Sequence, residues 1–482
     1  MFNRSITFLF ALGFLAVGQA QITWRRAYGA LGPDEARHVK VMTTGDFLVA
    51  GNTGSFGPGT GDAYVLRLDP DGELMGSYTY GSMDVERATG LSILSDDSWL
   101  LGGVTNGNVG QGYDGWLVKA APDGSPQWEK FYGGADWDFF ESVEPGSGGG
   151  SILAGRTYST GAGGSDAWLV RVNDTGDTLW TRTFGTAEEE GFYDARQTDD
   201  GGYIAAGYRV DTGGDRDAWL VRLAPDLTVL WDTNVGGDSA DVARDVIATA
   251  DGGFSIVGST ESYSQWVEHL HAKVDASGAL LWVRHWGQIN DQEAYEHVEL
   301  IDGSYLSAGY TRTSGGGGSD MFLLKSDPTG DFVFGRTFGG DDDDAGAGLD
   351  LLADGFVLAG TTRSYGTGGD DVFVVRTDLN GATLYETVSP TFDPLSISDP
   401  GPSANASLTL FPSPSSGPLT VRANERLREV AIWDVTGRRV LAQQLQGLEA
   451  RLDLDLPAGT YVLTATTEQG QVLRQAFILQ RP

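Results

Sequence analysis

Carboxylates end the glycine-rich loops of this chain at regular intervals, where they could bind a cation or cap a turn. The six Asp residues at these loop ends are Asp62, Asp114, Asp166, Asp217, Asp320 and Asp371. Loop carboxylates beside backbone carbonyls suit Ca²⁺, which prefers several oxygen ligands. An Asp at a turn also accepts backbone N–H groups. Because the same residue recurs in loop after loop, the sequence favours turn capping, with the acidic loops forming a ligand-binding face.

One run of acids is denser than the others. Asp341, Asp342, Asp343 and Asp344 are consecutive and follow two glycines. This run is the best single candidate for a calcium site, and Ca²⁺ is the one cofactor that the sequence suggests. The alternative is a charged surface segment that is solvated by water.

Histidines cluster in one part of the chain and suggest a second metal. His269 and His271 alternate along a strand and so share one of its faces. A hairpin through Asp275 and Gly278 would bring His285 opposite His269. Three imidazoles could bind Zn²⁺. Simple divergence of this repeat is the alternative, since Leu270 stands where other repeats have an aromatic residue.

The sequence contains no distinct catalytic motif. It lacks a G-x-S-x-G elbow with a plausible His partner, a phosphate-binding loop and a dinucleotide fingerprint. Acidic pairs are abundant, but no single pair stands out as the pair that glycoside hydrolysis needs. A non-catalytic role is therefore favoured. The alternative function is a polysaccharide-active hydrolase or lyase that uses an acidic pair at the mouth of the fold.

Composition excludes several classes of partner. Of 482 residues, 66 are acidic and 32 basic, which gives a formal charge of -34. Such a surplus of anions repels nucleic acid and anionic lipid, so we expect neither as a partner. The absence of Cys removes disulfides, thiolate metal sites and thiol nucleophiles.

Two markers recur with the same period and define seven repeats. The loop-end acid recurs every 51 or 52 residues, with Glu268 in the fifth repeat. A Gly that ends an apolar strand recurs with the same spacing, at Gly51, Gly103, Gly155, Gly207, Gly258, Gly309 and Gly360. Repeats of this length are typical of propellers and related arrays.

Each repeat contains four short strand signals separated by Gly-containing turns, without helical periodicity. This pattern predicts an all-β fold, a seven-bladed β-propeller with four-stranded blades of about 51–52 residues. An open stack of repeats is the alternative. The fourth-strand signal occurs once too often, at both Trp24–Tyr28 and Leu384–Val388, so one terminal strand is expected to close the ring.

The chain after the repeats has a different composition. Residues 389–407 are rich in Pro and Ser and are predicted to form a linker. Residues 408–482 contain eight Arg and seven acidic residues, so the acidity lies in the repeats. Alternating strands joined by Gly turns predict a small Ig-like β-sandwich here.

The C-terminal region contains three motifs in order, which include Pro412, Pro414 and Gly417, then Asp434 and Gly437, then Pro457, Gly459 and Tyr461. Together they resemble the type A sorting domain of the type IX secretion system of Bacteroidetes and their relatives. The resemblance implies recognition by the type IX machinery and export through the outer membrane. The repeats also resemble delta-60 or bacterial propeller repeats, a family that implies no common activity.

The N-terminus has the layout of a secretory signal peptide. Arg4 precedes an apolar run from Ile6 to Val17, and small residues end the segment at Ala20. The run is too short for a membrane anchor. The expected organisation is a signal peptide at 1–20, a propeller at 21–388, a linker at 389–407 and a sorting domain at 408–482. We expect a secreted or cell-surface binding or adhesion protein that recognises an extracellular protein or glycan, with no membrane span in the mature chain.

Overall fold

The structure is a computed structural model. It describes residues 23–479, apart from 60, 108–111, 288–289, 313–314, 316, 384–387, 393–407, 412–417, 435–438, 455, 458 and 468–471. The predicted signal peptide and most of the predicted linker lie outside the described residues. These residues form 34 β-strands and no helix, so the all-β prediction is confirmed. No helix among them is long and apolar enough to cross a bilayer.

Six of the repeats each form one four-stranded antiparallel sheet with the strands in chain order. We call these sheets blades 1 to 6. Blades 1 and 2 contain β2 (Asp34–Val41), β3 (Phe47–Thr53), β4 (Asp62–Leu68) and β5 (Leu74–Tyr80), then β6 (Glu86–Ile93), β7 (Trp99–Thr105), β8 (Asp114–Ala120) and β9 (Pro126–Tyr132). Blades 3 and 4 contain β10 (Asp138–Pro145), β11 (Ser151–Thr157), β12 (Asp166–Val172) and β13 (Thr178–Phe184), then β14 (Glu190–Gln197), β15 (Tyr203–Val210), β16 (Arg216–Leu223) and β17 (Val229–Val235). Blades 5 and 6 contain β18 (Asp241–Ala248), β19 (Phe254–Thr260), β20 (Glu268–Val274) and β21 (Leu280–Trp286), then β22 (Gln292–Glu299), β23 (Tyr305–Thr311), β24 (Asp320–Ser326) and β25 (Phe332–Phe338).

Blade 7 joins the two ends of the repeat region. Its strands are β26 (Asp344–Leu352), β27 (Gly355–Thr362), β28 (Asp371–Asp378), β1 (Trp24–Gly29) and β29 (Val388–Phe392), in that order. β1 pairs antiparallel with β28, and β29 adds a fifth strand parallel to β1. The N-terminal strand therefore takes the fourth position of the last blade, and the seven-bladed prediction is confirmed.

The first strand of each blade lies innermost. Each inner strand contacts the inner strands of both neighbouring blades, and β26 of blade 7 contacts β2 of blade 1. The seven inner strands therefore surround an axial channel. The loops that lead into the inner strands emerge at the same end as the loops between second and third strands, and we call this end the loop face. Backbone bonds join the two kinds of loop, such as Tyr158 N–H to the Trp137 carbonyl at 2.8 Å.

A β-bulge interrupts every inner strand, and the repeated glycine makes it possible. In blade 1 Ala36 pairs with Gly51 and His38 with Ala50, so Arg37 is the extra residue. A Cβ on Gly51 would lie 1.9 Å from the Glu35 carbonyl oxygen, and the other six glycines face inner-strand carbonyls at 1.8–2.0 Å. No other residue fits such an approach. The bulge turns one extra side chain of each blade towards the channel.

Buried aromatic and aliphatic side chains fill the spaces between blades. Tyr64 and Trp116, at equivalent positions of blades 1 and 2, are almost fully buried and belong to the clusters on either side of blade 1. The Tyr28 hydroxyl donates to the Gly72 carbonyl of the next blade at 2.7 Å, and Tyr80 repeats this bond to Gly124. The repeated aromatics therefore pack neighbouring blades together.

The C-terminal strands form one curled sheet rather than two separate sheets. They are β30 (Leu408–Phe411), β31 (Pro418–Asp434), β32 (Arg439–Asp453), β33 (Gly459–Thr467) and β34 (Val472–Leu479). The first part of β31 pairs with β30 and the second with β33, while β32 follows both parts. Apolar side chains such as Leu419, Ile432 and Leu463 are buried inside the curl.

The described part of the third sorting motif forms a local hydrogen bond in this sheet. The Tyr461 hydroxyl donates to the Pro457 carbonyl at 2.9 Å, and Gly459 begins β33 between them. Asp434 ends β31. The motif residues Pro412, Pro414, Gly417 and Gly437 lie outside the described residues.

Closure of the ring can be tested at Tyr28, which is fully buried on the closing strand β1. Tyr28→Phe removes the bond to Gly72 and should lower the free energy of unfolding by about 1 kcal/mol. Tyr28→Ala also removes the ring and should lower it by about 3–5 kcal/mol. Urea denaturation measures both values. Leu31→Ala is the control, because Leu31 is 87% exposed, and equal stability of the two Ala variants would contradict the role of β1.

Candidate functional site

Among the six repeated Asp residues, Asp62, Asp166 and Asp371 accept N–H groups of their own loops, whereas Asp217 accepts from the Asn234 side chain. Five of them are buried, and Asp217 is half-buried. Asp62 accepts the Gly59 N–H at 3.0 Å, and Asp371 accepts the Thr367 N–H at 3.0 Å. These carboxylates are directed into the blades, so a ligand on the loop face would meet the capped loops before it met these side chains.

Some loop-end acids also face an acid from the next blade. Burial raises the pKa of Asp62 to about 6, and the charge of Glu86 adds to this rise. Burial likewise raises the pKa of Asp371 to about 6, with Asp34 contributing. The Gly between each pair leaves room for both groups, because a Cβ on Gly81 would lie 2.7 Å from Asp62 Oδ1 and 2.6 Å from Glu86 Oε2.

The run of four acids does not converge on one point. Asp341 and Asp342 are exposed, whereas Asp344 is buried and accepts the Gly340 N–H at 2.8 Å. Asp343 accepts the Ser319 N–H at 2.9 Å. Within the part of the chain that the structure describes, no three His, Cys, Asp or Glu side chains are placed to hold a metal ion.

The three histidines are not brought together, because the register of the hairpin differs from the expected one. A β-bulge beside Val274 places His285 opposite Leu270 instead of His269. A shift of one residue moves a side chain to the other face of a sheet. His269 and His271 are therefore buried in the blade, while the ring of His285 stacks on Tyr263 at the surface, with centroids 4.3 Å apart.

A series of buried hydrogen bonds links one of these histidines, His271, to Asp245 in the channel lining. Asp245 Oδ2 contacts His297 Nδ1 at 2.6 Å, and Ser255 Oγ lies 3.1 Å from His297 Nε2 and 2.9 Å from His271 Nε2. The connectivity is that of an acid–histidine–serine triad. Ser255 is 0% exposed, however, so its hydroxyl is out of reach of a substrate. These hydrogen bonds therefore contribute to packing.

The axial channel was expected from the fold, but sequence reasoning missed the residues that line it. It encloses about 260 Å³, and every inner strand contributes to its lining. The extra residues of the seven bulges all line it, namely Arg37, Thr89, Glu141, Tyr193, Arg244, Tyr295 and Ala347. They differ from blade to blade although their spacing follows the repeat. This chemical variety at a fixed repeat position is the signal that could have identified them.

Ion pairs organise the charged groups deep in the channel. Lys40 Nζ contacts Glu296 at 2.5 Å, and Arg196 contacts Asp194 at 3.0 Å and Asp245 at 2.8 Å. Burial opposes the charge of Lys40, but Glu296 raises its pKa above the ordinary value. Burial also disfavours the charge of Asp245, yet Arg196 and His297 hold its pKa below the ordinary value. Asp245 is therefore charged, whereas burial raises the pKa of Asp194 to about 7. All three acids are already partnered by a basic side chain.

Aromatic and guanidinium groups alternate around the mouth of the channel. The Arg244 guanidinium lies 4.2 Å from the Tyr193 ring centre and 5.6 Å from that of Tyr295. Glu293 accepts from Arg244 Nε at 2.7 Å and from the Tyr295 hydroxyl at 3.0 Å. These contacts hold flat faces and donors in fixed positions.

Exposed aromatic rings extend this arrangement onto the loop face. Trp137 is 49% exposed and Tyr158 39% exposed, and their ring centres lie 6.5 Å apart. Phe139 lies beside both, with the Arg156 guanidinium 4.5 Å from its ring centre. We call Trp137, Phe139, Tyr158, Tyr193 and Tyr295 the aromatic arc.

The comparisons identify the C-terminal region. Residues 409–480 match the model of a secretion system C-terminal sorting domain, which is the region of the curled sheet. The chain therefore carries a type IX sorting domain behind a seven-bladed propeller, and its location is secreted or cell-surface. No curated protein matches the chain.

Solved structures share the general shape at low similarity. The WD40 domain of Neurospora crassa Pan2 has 10% identity and a TM-score of 0.46, over 76% of this chain and 99% of that chain. The polysaccharide lyase Uly1 has 11% identity and a TM-score of 0.44, over 75% and 93%. PorZ, a surface component of the type IX system of Porphyromonas gingivalis, has 12% identity and a TM-score of 0.40, over 91% and 59%. These likenesses carry no inference about a ligand.

The calcium prediction for the four consecutive acids can be tested by thermal melting. An ion bound to the folded state only would raise the melting temperature in CaCl₂ above that in EDTA. Replacing the two exposed acids together, Asp341→Asn with Asp342→Asn, should remove the difference. MgCl₂ at the same concentration controls for ionic strength, and equal melting temperatures in CaCl₂ and EDTA would contradict calcium binding.

The buried histidines predict that acid destabilises the protein. Burial lowers the pKa of His269 to about 3, whereas an unfolded His binds a proton near pH 6.5. The free energy of unfolding should therefore fall as the pH decreases from about 6.5 towards 3. His269→Met, which copies Met321 of the next blade, should reduce the loss between pH 7 and 4.5 by roughly 2 kcal/mol.

Urea denaturation at the two pH values measures this change. His285→Gln is the matched control, because His285 is half exposed at its side chain. An unchanged pH dependence in His269→Met would show that the ring is charged or accessible in the folded protein.

Proposed function

We propose that this protein is a secreted or cell-surface binding protein that captures an extracellular glycan at the mouth of its axial channel. The single observation that carries the proposal is the aromatic arc. Its rings are exposed on the loop face or held in place by arginines, in a protein whose surface is otherwise strongly acidic. Sugars stack their C–H faces on such rings, while guanidinium groups donate hydrogen bonds to hydroxyls.

Rigidity of the arc supports binding. Arg244 lies between two tyrosine rings and is held by Glu293. The Trp137 ring contacts the rings of Phe139 and Tyr158. Side chains that are already ordered lose little entropy when a ligand binds. The arc spans residues of blades 3, 4 and 6 together with the loop between blades 2 and 3, so an extended ligand could contact several blades at once.

The ion pairs that carboxylates form around the channel argue against the hydrolase or lyase alternative. Glycoside hydrolysis needs two carboxyl groups that face the substrate, one of them able to give a proton. Glu141 contacts Arg156 at 2.5 Å, Glu293 contacts Arg244 and Glu296 contacts Lys40. These three carboxylates are engaged in holding an arginine or a lysine, which favours a binding role.

The proposed organisation places this binding ring between two export signals. Residues 1–20 are the proposed signal peptide, 21–388 the ring, 389–407 the linker and 408–482 the sorting domain. In this arrangement the chain crosses the inner membrane first, and the type IX machinery then takes it across the outer membrane. The delta-60 relationship of the repeats also remains a proposal.

A glycan array with the mature protein tests the function. Trp137→Ala and Tyr158→Ala should each weaken binding to any glycan that the wild type retains by about tenfold, because each removes one stacking surface. Leu281→Ala is the control, since Leu281 is exposed on the outer strand of blade 5 and away from the loop face.

Two outcomes would contradict the proposal. One is the absence of any retained glycan on a broad array, and the other is the same affinity in both arc variants as in the wild type. New reducing ends after incubation with the retained polysaccharide would favour the hydrolase or lyase instead.

A further inference from the structure

The outer strand of every blade except blade 1 carries an aromatic residue at the same position of the repeat. Trp128 lies against the turn glycine of the next blade, Gly176, with ring carbons 2.9 Å from where a Cβ would stand. Trp231 and Gly278 repeat this contact. The full set is Trp24, Trp128, Trp180, Trp231, Trp282 and Phe334. In blade 1 the equivalent residue is Gly76.

Tyr78 partly replaces the missing ring. Its hydroxyl lies 2.6 Å from where a Cβ of Gly76 would stand, and its ring covers the turn glycine Gly124. It also contacts Trp99, with ring centroids 5.7 Å apart. A phenol is smaller than an indole, and a cleft of about 370 Å³ lies between the outer parts of blades 1 and 2.

The cleft combines aromatic walls with hydrogen-bond acceptors. Tyr78, Tyr80 and Trp116 all line the cleft, and among these rings Tyr78 is partly exposed while Tyr80 and Trp116 are buried. Trp116 Nε1 donates to Glu129 Oε1 at 2.5 Å. Glu129 and Asp123 are exposed at the rim. Among the described residues that line the cleft there is no Lys, Arg or His.

We propose that this cleft, which we call the rim cleft, is a second binding site, and that its ligand is a neutral pyranose sugar. The ring found in the other blades is flat, and a pyranose offers a flat C–H face that stacks on the partly exposed ring of Tyr78. Its hydroxyls donate to the carboxylates of Asp123 and Glu129. The same carboxylates repel uronic acids and other anions. The volume lies within the range of small-ligand sites.

The rim cleft is separate from the axial mouth. Its lining comes from the outer strand of blade 1 and from the third strand, outer strand and connecting turn of blade 2, whereas the inner strands line the channel. The inference therefore stands independently of the function proposed for the aromatic arc. Loss of one site should leave the other intact.

Isothermal titration of the mature protein with cellobiose, lactose, mannobiose and chitobiose tests the inference. At least one of these neutral disaccharides should bind with one site per chain, and glucuronic acid should not. Trp137→Ala, which alters the axial mouth, should bind the same disaccharide as the wild type does.

The double variant Gly76→Trp with Tyr78→Arg fills the cleft with the residue pair of β1, Trp24 and Arg26. It should weaken disaccharide binding by about tenfold or more, because a stacking surface is lost and the space is filled. Its melting temperature should equal or exceed that of the wild type, since filling a cavity stabilises a core.

Glu129→Gln is a second variant that leaves the packing unchanged and should also weaken binding, because a charged acceptor is lost. The proposal is overturned if no neutral disaccharide binds the wild type, or if the double variant and Glu129→Gln both bind as the wild type does. Loss of binding in Trp137→Ala alone would assign the sugar to the axial mouth instead.

Discussion

The fold depends on the close approach of an inner-strand carbonyl to a glycine, repeated in every blade. Gly51 and its six equivalents face carbonyl oxygens at distances that exclude any side chain. This approach allows a bulge, and the bulge curves the inner strand and turns an extra residue towards the axis. The shape of each blade and the lining of the channel therefore follow from the same seven positions.

The strands and the packing between blades repeat regularly, whereas the residues that line the channel vary, and these two features have different physical causes. Backbone pairing and inter-blade packing need the same residue types in each blade, so selection for stability keeps the repeats alike. Bulge residues face the channel and take part in no ladder. Tyr193, Arg244 and Tyr295 can therefore differ from Ala347 without disturbing a sheet, and binding chemistry can vary from blade to blade.

Periodicity predicted the number of blades, the strands in each and the role of loop acids such as Asp62 as caps. It could not predict which residues line the channel, because a bulge is not visible in a pattern of alternating side chains. The same limit explains His285: one extra residue in a hairpin moved it to the opposite face. Gly76 was visible as a departure from the repeat, but only the packing of Tyr78 against Gly124 showed that the departure leaves a cleft.

Closure of the propeller ring by β1 also affects the rate of folding. Tyr28 pairs with Val372, so the first strand of the ring has no partner until the last blade exists. Such non-local pairing slows folding, because a very long loop must close before the contact forms. Until then β28 is an open edge that another chain could pair with. For an exported chain this order favours late closure, after both ends of the repeat region have entered the same compartment.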